Sequence, residues 1–346
     1  MAAGMGKVRQ GPLVSVVLAA YNHEPFIAEA VQSVLAQSFE DLELIVFDDA
    51  STDRTPDIVE AIKDDRLRLI RSPANRLQHG RNVALAGCSG KYIAFQNSDD
   101  VWRKDKLFKQ VSLLEARPEL AACFSAVEII GPDARPAPGT FFEGMFTTGN
   151  LAPEQWLHRF FELGNCLCIT SAVVRADLLS GLGGFCESLV QLGDLDLWVR
   201  LAALGEFLVL DEPLTAMRFT SGQNSSRLEP PVLRRIMREY VRVLLRYVEA
   251  PLVDQLARVF PRIVSQDMTR LERRVALALD SAPRSPMHAL FAERVLEQAL
   301  DNPADRALVC ARFGTRVVHD FLHLRTRIET VLHASPDVEL LCDCKR

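Results

Sequence analysis

Two apolar, strand-like runs in this chain each end in a pair of aspartates, and this pattern restricts the fold more than any other. Leu42-Glu43-Leu44-Ile45-Val46-Phe47 runs into Asp48-Asp49, and Tyr92-Ile93-Ala94-Phe95-Gln96 runs into Asn97-Ser98-Asp99-Asp100. In an open parallel sheet, ligands bind outside the carboxyl ends of the strands. Four carboxyl groups on one such rim repel one another unless a cation or hydrogen-bond donors sit among them. A hard divalent metal carried with a phosphorylated ligand resolves that most simply. Aspartate also caps helices and turns well, so one pair alone would read as a cap. Two pairs on one rim point to a site.

The surrounding pattern supplies the sheet. Leu13–Ala20 reads as a buried strand, and a helix follows from about Pro25 to Gln37 with Phe26, Ala30, Val34 and Leu35 on one face. After the strand ending at Asp48, Thr55 is placed to cap a helix with Pro56 at its first position. A short strand at Leu67–Ile70, a helix over Arg81–Ala86, the strand to Gln96 and a helix over Lys104–Ala116 complete the series. This order implies a mostly parallel central sheet with right-handed crossovers and helices on both faces. Gly131–Asn150, rich in Gly and Pro, reads as a loop. Gly181-Leu-Gly-Gly-Phe185 reads as a turn cluster ahead of a helix from about Leu195 to Leu204. Beyond Glu229-Pro230-Pro231 the pattern becomes helical and arginine-rich, with no comparable strand signal. The expected division is therefore a flexible start over 1–11, an α/β domain over 12–229 and an α-helical extension over 230–346.

Composition narrows the function. With 48% apolar residues the chain can build a full core, and a net charge of -5 gives no reason to expect nucleic-acid binding. The eight cysteines, at 88, 123, 166, 168, 186, 310, 342 and 344, lack paired zinc-ligand spacing and read as reduced thiols of a cytoplasmic protein. No signal-peptide core opens the sequence, and no apolar stretch reaches bilayer-spanning length. The first strand leads into Ala19-Ala20-Tyr21-Asn22-His23 rather than a Gly-x-Gly-x-x-Gly turn, and there is no P-loop.

The motifs then resemble a known family. Val14-Ser-Val-Val-Leu-Ala-Ala-Tyr-Asn22, Phe47-Asp-Asp-Ala-Ser-Thr-Asp53, Gly80-Arg-Asn82, Tyr92-Ile-Ala-Phe-Gln-Asn-Ser-Asp-Asp-Val-Trp102 and Gly183-Gly-Phe185…Asp194-Leu-Asp-Leu-Trp198 follow the order seen in family-2 glycosyltransferases. The resemblance covers about residues 12–226 and implies a GT-A fold that binds a nucleotide-diphosphate sugar, most often a UDP-sugar, with Mg2+ or Mn2+. By the same resemblance Asp48 and Asp49 belong to the nucleotide pocket, one of them accepting a hydrogen bond from the base, with Ala20 and Tyr21 bordering it. Arg81 contacts the nucleotide or its phosphates, while Asn97 and Ser98 line the nucleotide-sugar site. Asp99 is the metal-binding aspartate, and Asp100 either assists it or caps a helix before Trp102. Asp194 matches the base, with Asp196 as a close decoy.

Three positions depart from the family pattern: Asn97 replaces a common Asp, Gly193 a common Glu, and Thr220 a common His, with Arg218 nearby to contact phosphate. The Gln-x-x-Arg-Trp motif of processive synthases is missing, which implies one sugar per encounter. The expected activity is inverting, non-processive hexosyl transfer to a glycan, a lipid-linked sugar or a protein. A non-catalytic sugar-nucleotide binder and a sugar nucleotidyltransferase are the alternatives.

In the extension, Arg234, Arg235, Arg238, Arg242 and Arg246 interleave with Val232, Leu233, Ile236, Met237, Val241, Leu244 and Leu245. A basic amphipathic helix of this kind either packs on its own protein or lies on anionic lipid at the inner face of a membrane. Dimerisation through these helices is a third option. His288, His319, His323 and His333 read as structural or surface residues.

Overall fold

The computed structural model describes residues 11–76, 78–140, 142–220 and 229–334. Cys342, Cys344 and the later part of the segment Arg218–Asn224 lie outside the described residues, as does the expected flexible start up to residue 10. In chain order the elements begin β1 (Val14–Ala20), α1 (Ile27–Leu35), β2 (Leu42–Asp48), α2 (Thr55–Ala61), β3 (Leu67–Arg71), α3 (Gln78–Ala86) and β4 (Tyr92–Asn97). There follow β5 (Val101–Trp102), α4 (Lys106–Ala116), β6 (Leu120–Ile130), α5 (Pro153–Leu163), β7 (Val173–Arg175), α6 (Ala176–Gly181), α7 (Gly193–Ala202) and β8 (Glu206–Arg218). The rest is helical: α8 (Pro230–Leu245), α9 (Leu252–Val259), α10 (Arg270–Ser281), α11 (Pro286–Asp301), α12 (Pro303–Phe313) and α13 (Arg316–Ala334).

The chain forms two compact units. The first holds the described residues up to Leu151, Cys166–Ser188 and the stretch from Leu204 through β8. Its single sheet has the order β3-β2-β1-β4-β7-β6-β8-β5, with β3, β2, β1 and β4 all parallel. Side chains alternate across it. Val14, Val16 and Leu18 of β1, Leu42, Leu44 and Val46 of β2, and Tyr92 and Ala94 of β4 share one core. Ile27, Ala30, Val31 and Val34 of α1 and Leu107, Val111 and Leu114 of α4 complete that core, at the spacing of one helix face. The other face of β2 carries Phe47, against which α3 packs. Cover on both faces explains why these strands read as nearly continuous apolar runs.

Gly80 shows how close that second layer lies. A Cβ on Gly80 would sit 2.4 Å from the buried Phe47 ring, so the glycine of Gly80-Arg-Asn82 is a packing requirement. Gly184, at φ +74°, is held to the same loop system: a Cβ there would meet the Asn82 side chain at 2.6 Å.

The second unit holds Ala152–Asn165, Leu189–Ala203 and the helices from α8 onward. Trp156, Phe160 and Phe161 of α5 are buried in it together with Tyr247 and Phe291. On α8, Leu233, Tyr240, Val241, Val243 and Leu244 are buried while Arg234, Arg235, Arg238 and Arg242 are exposed, so its apolar stripe packs within the protein. His288 is buried as well, its ring engaged by Ser285 and the Phe161 carbonyl, and burial drives its pKa down to about 4. His319 and His323 face each other at 3.1 Å on α13, but among the described residues no three His, Cys, Asp or Glu side chains form a metal-binding group.

Candidate active site

The strand order puts β1 between β2 and β4, with the chain running outward in both directions from it. That is a topological switch point, where an open α/β sheet leaves a crevice at its carboxyl edge. The register fixes what lines it. Ala20 pairs with Asp48 and Ala19 with Asn97, so the two acidic segments leave the sheet at the same edge, on either side of β1. With strands about 4.8 Å apart, β2 and β4 stand about 10 Å from each other. The repulsion that matters is therefore within each pair rather than across all four carboxylates.

The β2 end is tied into a loop frame. Asp48 Oδ2 accepts the Ser51 amide at 3.2 Å, and Asp49 Oδ1 accepts the Arg76 amide at 2.6 Å. Asp48 is buried, yet its Oδ1 has no hydrogen-bond partner among the described residues. Asn22 (φ 52°) and Ala50 (φ 64°) both take left-handed backbone, and the Asn22 side chain accepts the Thr52 amide at 2.7 Å. The Glu24 amide donates to Asp53 and the His23 amide to Thr55 Oγ1, so Tyr21–Glu24 and Ala50–Thr55 form one cross-braced edge. Thr55 therefore does not cap α2 with its side chain, as its position suggested. Its hydroxyl serves His23, and Asp53 accepts the Thr55 amide instead.

The β4 end is more acidic and more buried. Asp99 and Asp100 are 6% and 1% exposed. Burial, reinforced by the neighbouring charge of Asp99, holds the Asp100 carboxyl well above the usual carboxylate range. Asp100 accepts the Arg218 amide at 2.8 Å and the Asn97 side-chain amide at 2.9 Å. It caps no helix, because Val101–Trp102 is a strand and the next helix starts at Lys106. Asn97 in turn accepts from Arg81 at 3.5 Å, so Asn97 links the α3 arginine to the acidic pair. Arg81 also lies over the Phe185 ring at 5.5 Å. Ser98 is engaged by His23 Nδ1 at 2.6 Å, a partner that the sequence pattern did not single out. Tyr21 is 42% exposed at the edge of this crevice.

Arg218 is a correction. The sequence suggested a phosphate contact, but the side chain is 1% exposed and fully engaged by protein. It donates to the carbonyls of Asp99, Gly131 and Pro132 and to the Glu29 carboxylate, and its guanidinium lies 4.8 Å from the Phe26 ring centre. Its role is to hold the Asp99-Asp100 turn. Asn82 is a second brace: it bonds both the amide and the carbonyl of Phe185 at 2.9 Å, joining the Gly80-Arg-Asn82 and Gly183-Gly-Phe185 motifs.

In the second unit, α7 begins at Gly193, two residues earlier than expected, so Asp194 stands in its first turn. Asn165 donates to Asp194 Oδ2 at 2.7 Å, and Asp194 Oδ1 accepts the Leu195 amide. Asp196 differs: it is fully buried and shared between Arg200 and Arg246, each at 2.8 Å. Glu239 of α8 accepts the amides of Val190, Gln191 and Leu192 at 2.8, 2.7 and 2.9 Å, which fixes the segment entering α7. Nothing in the sequence near Asp194 indicated Glu239, which lies 47 residues beyond Leu192.

An open α/β unit with an acidic edge at its switch point is the architecture of GT-A glycosyltransferases. Solved structures agree: Staphylococcus aureus TarS 1–349 in complex with UDP-GlcNAc matches with TM-score 0.55 at 21% identity, covering 93% of this chain and 92% of that one. The mannosyltransferase PcManGT from Pyrobaculum calidifontis, in complex with GDP-Man and Mn2+, matches with TM-score 0.52 at 21% identity over 92% and 87%. The chain belongs to glycosyl transferase family 2, whose model matches residues 15–176. Among relatives, the putative glycosyltransferase EpsE of Bacillus subtilis is 32% identical over 56% of this chain and 68% of its own. The putative teichuronic acid biosynthesis glycosyltransferase TuaG of Bacillus subtilis is 39% identical over 36% and 50%. The Escherichia coli UDP-Glc:alpha-D-GlcNAc-diphosphoundecaprenol beta-1,3-glucosyltransferase WfaP is 42% identical over 30% and 41%. The chain thus spans half or less of the last two relatives. The family match sets aside the nucleotidyltransferase alternative.

Proposed function

We propose that this chain transfers one sugar from a nucleotide-diphosphate sugar, with UDP as the nucleotide, to an acceptor hydroxyl with inversion, in assembly of a cell-surface glycan. The observation that carries the reading is the acidic edge at the β1 switch point, with a buried Asp48 oxygen lacking a partner among the described residues. That oxygen suits a base N–H. Asp49, Ala20 and Tyr21 border the base, and Asn97 retains a second carbonyl lone pair for a ribose hydroxyl. Arg81 and Ser98 complete the donor side. The donor bound to TarS and the WfaP name both support UDP, and the WfaP name also supports a lipid-diphosphate acceptor.

The Asp99-Asp100 pair fits a divalent ion, because Mg2+ is commonly held by one or two carboxylates together with substrate phosphates. Mg2+ or Mn2+ bound there would act as a Lewis acid toward the departing diphosphate. By the family resemblance Asp99 is the principal ligand, with Asp100 beside it holding Asn97 and the Arg218 amide. Asp194 takes the acceptor proton as the hydroxyl oxygen attacks the anomeric carbon opposite the leaving group.

A thermal-shift series with UDP, GDP, CMP, dTDP and ATP, with and without Mn2+, tests the reading. UDP gives the largest stabilisation and Mn2+ enlarges it, while Asp99→Ala removes the metal-dependent part. No shift with any nucleotide would make the acidic edge structural and the enzyme reading untenable.

A further inference from the structure

Arginines usually find carboxylates or carbonyls, and most in the helical unit do. Arg246 pairs with Asp196 and Glu249, Arg270 with Asp254, and Arg258 with Glu154. Arg238 and Arg242 of α8 and Arg294 of α11 are among those that do not. They are exposed, and among the described residues none has a hydrogen-bond or carboxylate partner. The helices that carry them pack on each other, and the three side chains line one cleft of about 360 Å³ with Leu245, Arg246 and Glu249.

The cleft is strongly biased toward anions. Glu249 is its only lining carboxylate among the described residues, and it already faces Arg246 at 3.2 Å. Three guanidinium groups therefore remain uncompensated in a protein whose net charge is -5. Arg238 and Arg242 also stand i, i+4 along α8, an arrangement of like charges that destabilises a helix unless an anion relieves it. Guanidinium forks match phosphate oxygens two at a time, so several converging arginines favour a ligand with several such oxygens. The volume lies at the small end for a ligand pocket, which suits a compact polar group rather than a whole glycan.

We propose that the cleft between α8 and α11 binds a diphosphate group through Arg238, Arg242 and Arg294. This deepens the acceptor side of the proposed function and rests on it for the carrier, a lipid-borne diphosphate; free diphosphate offers the same chemistry. Leu245 gives the cleft an apolar wall beside the charges, and Arg246 remains committed to Asp196.

The test is titration calorimetry with inorganic pyrophosphate, run with UDP already saturating so that the donor side is occupied. Arg238→Gln/Arg294→Gln weakens binding by at least about tenfold, the loss expected for charge-assisted hydrogen bonds. The charge-matched control Arg234→Gln/Arg235→Gln, on exposed residues outside the cleft, changes it by less than about twofold. Phosphatidylcholine vesicles doped with a polyprenyl diphosphate distinguish the sources. Capture that Arg238→Gln/Arg294→Gln abolishes supports the lipid carrier, and pyrophosphate binding without capture supports a soluble one. Absence of pyrophosphate binding, or equal binding by both double variants, overturns the proposal. Loss of the UDP thermal shift with cleft binding intact would instead retire the donor reading and leave the cleft standing.

Discussion

Asp194→Asn leaves nucleotide binding intact and lowers kcat by about 10²- to 10⁴-fold, the range expected on removing a general base. The substitution is a sharp probe because it keeps the size and shape of the side chain. Asn165 donates to Asp194 Oδ2 at 2.7 Å and the Leu195 amide to Oδ1 at 2.8 Å, and the asparagine oxygen keeps one of these two bonds. What disappears is the capacity to take a proton. The paired measurement is the UDP-induced thermal shift beside the initial rate of sugar transfer. An unchanged rate would exclude Asp194 as the base. The same change at Asp196 should behave differently, since that carboxylate is fully buried between Arg200 and Arg246 and serves the fold.

The second large effect is on stability. Arg218→Met removes a buried guanidinium that satisfies three backbone carbonyls and pairs with Glu29. Breaking a buried, hydrogen-bonded charge of this kind costs about 3–5 kcal/mol. Glu29 is half exposed and can turn to water, so the loss falls mainly on the carbonyls of Asp99, Gly131 and Pro132. Urea denaturation reads the stability, and Mn2+-dependent UDP stabilisation reads the Asp99-Asp100 turn that Arg218 holds. Both should fall together. A change below about 1 kcal/mol would mean that the turn is held by other contacts.

These two residues also show what a linear reading can reach. The acidic edge was legible because each half is contiguous: an apolar strand and the carboxylates that follow it sit within a dozen residues. The parallel order followed from alternation of strand and helix, and the register then brought both ends to one edge. Arg218 was misjudged for the opposite reason. Whether an arginine points to a ligand or is engaged by carbonyls depends on burial, and its acceptors come from residues 99, 131 and 132. Asn97 reads as a lost charge in sequence, whereas in the fold it bonds Asp100 and accepts from Arg81. The Asn82 bonds to Phe185 span 103 residues, so the proximity of those two motifs could be suspected only from their joint presence in a family pattern.

Glu239 carries a consequence for how the protein can be divided. Its carboxylate collects three successive amides ahead of α7, while Arg246, one helix end further on, neutralises Asp196. The change in composition near Pro230 is therefore a poor place to cut the gene. A fragment stopped there would keep every motif of the family yet take the Glu239 carboxylate from three amides and half the counter-charge from one buried aspartate. The helix bearing Asp194 would then be free to fray from its first turn, so expression trials aimed at a minimal enzyme should retain α8 and Arg246 at the least.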